Sequence, residues 1–269
     1  MAERGFRVWA GVRSPESATE LHNEAESRRT ALQTVILDIT DKNSVEQAVA
    51  TVVDQAGGLY GLVNNAGVSR RCYFEEFPEE TVREIFEVNV FGTMRVTQCA
   101  LPHLRKGGSG RVVILTSIGG RIGTMALAPY IATKFALEGF GESLFLEMRP
   151  FGTRVVIIEP GIIRTSIWDK SRRVLPPAAR KDSPYYDLFW RAEVEADKLV
   201  NTSRLQPRDV ARAVVKAMTA AKPRLRYTVG RRAGLVLSLR KHLPDWLFEE
   251  VYFGELLRRV TRNPGHAGQ

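Results

Sequence analysis

Short apolar runs alternate along this chain with longer stretches whose apolar residues recur every three or four positions. Residues 6–12, 34–38, 59–63, 111–117, 154–159 and 226–229 are compact runs rich in Val, Ile and aromatic residues, and they read as strands. The stretches between them read as amphipathic helices. Ser14-Pro15 supplies an N-cap and a first-turn proline for a helix running to about residue 26. Asp41 or Asn43 opens a second, carried by Val45, Ala48, Val49 and Val52 and closed near Gly57-Gly58. A third follows Pro78 and continues, with a break, through Phe86, Val90, Met94 and Leu101. Residues 130–148 form a long helix, another starts at Pro207, and residues 234–260 suggest two more, divided at Pro244. Apolar strands alternating with amphipathic helices predict an α/β fold: a parallel sheet with helices on both faces. The alternation breaks over residues 162–206, where Trp168, Tyr185, Tyr186, Phe189 and Trp190 stand among prolines and charges. With no linker and no internal repeat, the 269 residues are expected to form a single domain.

Charge and cysteine content narrow the setting. The net charge of +9 lies entirely in the segment from Asn201 to Gln269, which holds 14 Lys/Arg against 5 Asp/Glu. These cations are scattered and no nucleic-acid motif accompanies them. The expectation is a solvated basic face that also meets a phosphorylated cofactor, with no nucleic-acid partner. Leu243, Trp246, Leu247, Phe248, Val251, Tyr252 and Phe253 make an apolar cluster in the same region. Core or dimer packing is favoured there over contact with a membrane surface. No apolar run is long enough to cross a bilayer, and the first residues lack the pattern of a signal peptide. Cys72 and Cys99 show no metal or redox spacing, so no metal is expected and a reduced, cytoplasmic location is the default.

The chemistry centres on Tyr130 and Lys134, with Ser117 thirteen residues before the tyrosine. At i, i+4 the phenol and the ammonium share one helix face. A nearby cation favours phenolate, so the tyrosine pKa is expected to fall toward neutrality.

Taken in order, Leu37-Asp38, Asn64-Asn65-Ala66-Gly67, Asn89-Val90-Phe91-Gly92, Ser117, Tyr130-x-x-x-Lys134 and Pro160-Gly161-x-x-x-Thr165 resemble the motifs of the short-chain dehydrogenase/reductases, over the chain up to about Val229. The resemblance implies a Rossmann-like, doubly wound sheet and an oxidoreductase that interconverts a carbonyl and an alcohol. It implies that Tyr130 gives or takes the proton, that Ser117 orients the reacting oxygen, and that Lys134 holds the nicotinamide ribose. Asn89 would hold a water linking Lys134 to solvent. Asp38 and Ile39 would meet the adenine, and Asn64, Ala66 and Gly67 would line the adenosine side. Pro160, Gly161, Ile163 and Thr165 would cover the carboxamide. Arg13, at the end of the first strand where an acid would bind a 2′-hydroxyl, favours NADP(H) over NAD(H). Residues 162–206 would form the substrate lid, with Trp168 against a lipophilic small molecule, and the long helices would pair copies into a dimer or tetramer.

One part of the family pattern is missing. The family opens with a strand, a Thr-Gly-x-x-x-Gly-x-Gly turn and a helix, whereas this sequence opens on Met1-Ala2-Glu3-Arg4-Gly5-Phe6. The first βα unit, on the order of 25 residues, is therefore expected to be absent, and with it the middle strand of the sheet and the cradle for the pyrophosphate. A truncated start is favoured, because every catalytic position downstream is intact. The alternative is an inactive relative serving as a binding or scaffold protein.

Overall fold

The computed structural model describes residues 1–163 and 174–261. The described residues contain six strands: β1 (Trp9–Val12), β2 (Gln33–Ile36), β3 (Gly61–Asn64), β4 (Arg111–Leu115), β5 (Arg154–Pro160) and β6 (Arg226–Val229). All their pairings are parallel. β3, β4, β5 and β6 pair in that order, β1 pairs with β2, and no ladder joins the two groups. The strand predicted to begin at Phe6 starts only at Trp9, because Phe6 turns away to pack on Tyr60, 5.9 Å between ring centroids.

The helices follow the apolar periodicity. α1 (Pro15–Ser27) is capped by Ser14, whose hydroxyl accepts from the Ser17 amide, and α2 (Lys42–Ala56) by Asp41, whose carboxylate accepts from the Asn43 amide. The break expected after Pro78 is a π-helical turn, Glu87–Gly92, inserted between α3 (Glu79–Phe86) and α4 (Thr93–Lys106). α5 (Ala128–Met148) carries the Tyr-x-x-x-Lys pair. Residues 162–206, where the strand–helix alternation breaks, contain α6 (Tyr186–Asn201). Its buried stripe of Phe189, Ala192 and Glu193 has helical spacing, but a charge in that stripe hid the apolar signal. α7 (Pro207–Thr219), α8 (Arg231–His242), α9 (Asp245–Phe248) and α10 (Gly254–Thr261) complete the described residues, with a second π-helical turn at Glu249–Phe253.

Alternate residues of the larger sheet feed opposite faces, as the two-residue strand period requires. Val112, Ile114 and Val155 pack with Ala100 and Leu104 of α4 and Leu137, Leu144 and Met148 of α5. Val113, Val156 and Ile158 pack with Val210, Val214, Ala217 and Met218 of α7. α5 lies close on β5 at Gly141, where a Cβ would stand 2.7 Å from Ile157 Cδ1. A satellite cluster of Cys72, Ala126, Ala178 and Phe189 fastens the segment after Val174 to the loop after β3. Val174 bridges Arg71, Tyr185 stacks on Tyr73 at 4.8 Å, and the buried Arg71 pairs with the buried Glu193.

Candidate active site

The carboxyl ends of β3, β4 and β5 and the first turns of α5 bring the predicted chemical residues together. β4 ends at Leu115. Ser117 follows in an extended conformation, its Oγ accepting the Gly119 amide at 3.0 Å. The same hydroxyl is hydrogen-bonded to that of Tyr130. Pro129 in the first turn of α5 sets the direction from which Tyr130 and Lys134 project. Lys134 is 6% exposed, and its Nζ stands 5.5 Å from the centre of the Tyr130 ring and donates to the Leu115 carbonyl at 3.0 Å.

The electrostatics correct one expectation. Burial pushes the Tyr130 phenol above its ordinary value, and only the bond to Ser117 pulls it back. The ammonium does not lower it here, because it faces the ring and is engaged by the Leu115 carbonyl. Lys134 itself falls to about 8: burial lowers it, and the charge of Glu138 opposes the fall.

Asn89 lies fully buried in the π-helical turn. Its Oδ1 accepts from the Val68 amide at 2.7 Å, and its Nδ2 donates to the Val68 carbonyl at 2.9 Å and to Thr133 Oγ1 at 3.0 Å. The side chain thus clips the loop after β3 to α5. Between these elements Gly67 lies close to both: a Cβ there would stand 3.3 Å from Asn89 Oδ1 and 3.8 Å from Lys134 Nζ.

At the other end of the site, Asp38 Oδ1 accepts from both the amide and the hydroxyl of Thr40, at 2.9 and 2.7 Å. These bonds, with smaller help from Arg13 and Arg95, hold its carboxyl below the ordinary range. Arg13 is exposed just beyond β1. The Ile39 side chain lies against Gly92, where a Cβ would meet it at 2.8 Å, and Asn64 Nδ2 donates to Thr97 Oγ1 at 2.9 Å. Ala66 and Gly67 are exposed. Pro160 is buried at the end of β5, the Gly161 amide donates to the Val229 carbonyl at 2.9 Å, and Ile163 packs on the α7 side of the sheet. Thr165 and Trp168 lie outside the described residues.

A nicotinamide dinucleotide fits both ends of this arrangement. Gly67, exposed beside Lys134 and Asn89, offers a ligand bare backbone where a side chain would crowd Asn89, and Asp38 offers an acceptor for an adenine. Among the described residues, the turns leaving β1 and β2 contain no glycine, so neither supplies a glycine-rich cradle for the pyrophosphate.

Sequence reasoning passed over the charges behind Lys134. Glu138, one further turn along the tyrosine and lysine face, was legible at i+8 from Tyr130. Arg226, which bonds to Glu138 at 2.9 Å, was not, because only the strand order brings β6 beside β5.

The pattern of the short chain dehydrogenase family matches residues 1–175. The chain is 34% identical over 268 residues to the mitochondrial D-beta-hydroxybutyrate dehydrogenase of Rattus norvegicus, covering 93% of this chain and 77% of that protein. It is 35% identical over 267 residues to retinol dehydrogenase 5 of Mus musculus, covering 93% and 80%. Among solved structures, a short-chain dehydrogenase from Streptomyces avermitilis superposes with a TM-score of 0.75 at 32% identity, covering 94% of this chain and 91% of that one. The chain therefore belongs to the short-chain dehydrogenase family, and it is an oxidoreductase of the alcohol–carbonyl kind.

Proposed function

We propose that this protein is an NADP(H)-dependent oxidoreductase that interconverts a lipophilic ketone or aldehyde and its alcohol. The observation that carries the reading is the Tyr130 hydroxyl bonded to Ser117, with the Lys134 ammonium 5.5 Å from its ring. Bound nicotinamide supplies or takes the hydride. Tyr130 then moves one proton at its hydroxyl oxygen, toward the carbonyl oxygen in reduction and away from the alcohol in oxidation. Ser117 donates to that same substrate oxygen and fixes its place. Lys134 holds the ribose hydroxyls and, with them, offsets the burial that keeps Tyr130 protonated. Asn89, whose side chain is committed to Val68 and Thr133, holds the floor of the site.

The preference for NADP(H) rests on Arg13, an exposed guanidinium near the carboxylate of Asp38. A 2′-phosphate gives it a charge-assisted partner, worth about 10- to 100-fold in affinity. Arg13→Ala is expected to reduce the ratio of NADPH to NADH affinity by that factor, as read by titration calorimetry. The lipophilic substrate rests on the aromatic segment around α6 and on the name of the retinol dehydrogenase relative.

Purified protein supplied with NADPH and a panel of ketones tests the whole reading. Turnover that disappears in Tyr130→Phe supports it, and equal turnover by the two proteins overturns it. A second reading, a binding or scaffold protein on the same fold, is favoured by one observation: no ladder joins β1 to β3. Calorimetric titration separates the two, since micromolar binding of NADPH is incompatible with the scaffold.

A further inference from the structure

Behind Lys134, away from the tyrosine, lies a closed set of charges. Lys134 Nζ donates to the carbonyl of Leu115, and the next residue, Thr116, donates its hydroxyl to Glu138 Oε1 at 2.7 Å and also approaches the Ile158 carbonyl at 3.1 Å. Glu138 Oε2 accepts from Arg226 Nε at 2.9 Å. Arg226 also donates to Glu142 and lies 3.4 Å from Glu159, which in turn accepts from Arg121 at 3.1 Å and from the Thr228 hydroxyl at 2.7 Å. The side chains of Glu138 and Glu159 are 7% and 2% exposed. The three carboxylates and Lys134 come from α5 and β5, while Arg226 and Thr228 come from β6. The cluster thus ties the base of the site to the strand at the far edge of the sheet.

We propose that Glu138 is a positioning residue for Lys134: as a carboxylate held by Thr116 and Arg226, it keeps the buried ammonium charged. The inference rests on the reading of Tyr130 and Lys134 as the proton-transfer pair, and it adds the group that maintains the charge of that pair. A buried ammonium with no anion nearby loses its proton as its hydration is stripped away. Among the described residues, Lys134 has no carboxylate in direct contact; the carbonyl of Leu115 and the π face of Tyr130 are its neighbours. Glu138 lies one turn along the same helix face. Burial and the charge of Glu159 raise its carboxyl, and the bonds from Thr116 and Arg226 oppose them.

The other elements packed on α5 leave that role to Glu138. On β5, Glu159 is claimed by Arg226, Arg121 and Thr228. In the turn after β4, Arg121 points its charge at Glu159. Among the charges of α3, Glu79 pairs with Arg83 and Glu84 with Arg70, while Glu80 is exposed; in the π-helical turn, Glu87 pairs with Arg95.

The test reads the lysine directly and needs no turnover. Protein labelled with ¹³C at lysine Cε is titrated by NMR, and the Lys134 signal is assigned by its loss in Lys134→Arg. Glu138→Gln is expected to lower the Lys134 midpoint by about one pH unit, a tenfold change in its ionisation ratio. Glu138→Asp, which keeps the charge, is expected to restore most of the shift. A Lys134 midpoint in Glu138→Gln within about 0.2 unit of wild type, a fifth of the expected shift, overturns the proposal.

If Glu138→Gln does not fold, the wild-type protein still decides. Protonation of the Glu138 carboxyl on acidification should produce a second inflection in the Lys134 signal, and a single inflection from pH 4 to 11 overturns the proposal. A parallel assay with NADPH and ketone separates this inference from the one beneath it. Activity lost in Tyr130→Phe with an unmoved Lys134 midpoint in Glu138→Gln fails the positioning role alone. Activity unchanged in Tyr130→Phe with a moved midpoint fails the catalytic reading alone.

Discussion

Lys134 is a charge kept where water cannot reach it, and that has a measurable cost. Its pKa in the folded chain is about 8, below the ordinary lysine value of 10.5, so the unfolded chain holds the proton more tightly. The sign follows. Stability linked to Lys134 is fully present above the unfolded value and is lost as pH falls through the folded one. The unfolding free energy of wild type relative to Lys134→Met is therefore expected to rise between pH 8 and 10.5, as measured by urea titration at each pH. Tyr130→Phe should reduce turnover by about 10² to 10⁴-fold, the usual contribution of a positioned acid or base, with little change in stability. These residues were legible in the sequence because their spacing is local: Tyr130, Lys134 and Glu138 recur at the four-residue step of a helix. The charge partner Arg226 was not, since its place beside Glu138 is set by the pairing of β5 with β6, residues 88 apart in the pair Glu138–Arg226.

At the scale of elements, the sheet reads two ways for its helices. β4 and β5 feed α4 and α5 from one face and α7 from the other, and the close approach at Gly141 sets how near α5 can lie. Gly141→Val would drive a side chain into Ile157 and push the helix that carries Tyr130 off β5. The expected loss is about 1–3 kcal/mol in urea unfolding, with a drop in turnover at unchanged cofactor chemistry. The strands and most helices were readable from period alone, including β6, whose bounds match the predicted run. The segment around α6 was not. Its inward face carries Glu193, and the sequence gives no sign that the acid is matched by Arg71, 122 residues earlier. A buried ion pair looks like a polar interruption until its partner is known.

At the scale of the whole molecule, α6 is fastened rather than free. Phe189 fills the satellite cluster, Tyr185 stacks on Tyr73, and Glu193 meets Arg71. Removing one partner of a buried ion pair is destabilising. Glu193→Gln is expected to accelerate cleavage within residues 174–201 during limited proteolysis while the sheet core stays resistant. If copies pair as the family resemblance implies, the exposed apolar residues Phe91 of the π-helical turn and Phe135 and Leu146 of α5 are candidates for the contact. Sedimentation equilibrium of Leu146→Glu against wild type checks that expectation: a dimer or tetramer that dissociates in the variant supports it, and a wild-type monomer ends it. The split between the β1–β2 pair and the four-stranded group belongs to this scale too, and it matches the expectation drawn from the absent first βα unit, whose strand would stand between them.

The π-helical turn at Glu87–Gly92 has a consequence for how this chain can change by insertion and deletion. A π turn amounts to one extra residue slipped into an α-helix. Deleting a single residue there would let α3 and α4 fuse into an unbroken rod, and each residue of an α-helix is worth about 100° of rotation. The fused helix would then present a different side to the sheet, turning Val96, Ala100 and Leu104 out of the interior they now fill. The extra residue acts as a phase setting: upstream it aims Asn89 at the floor of the site, and downstream it keys the rest of the helix to its seat. A single-codon loss within those six positions should therefore abolish folding, whereas a substitution at the exposed Phe91 should be carried without harm to the fold.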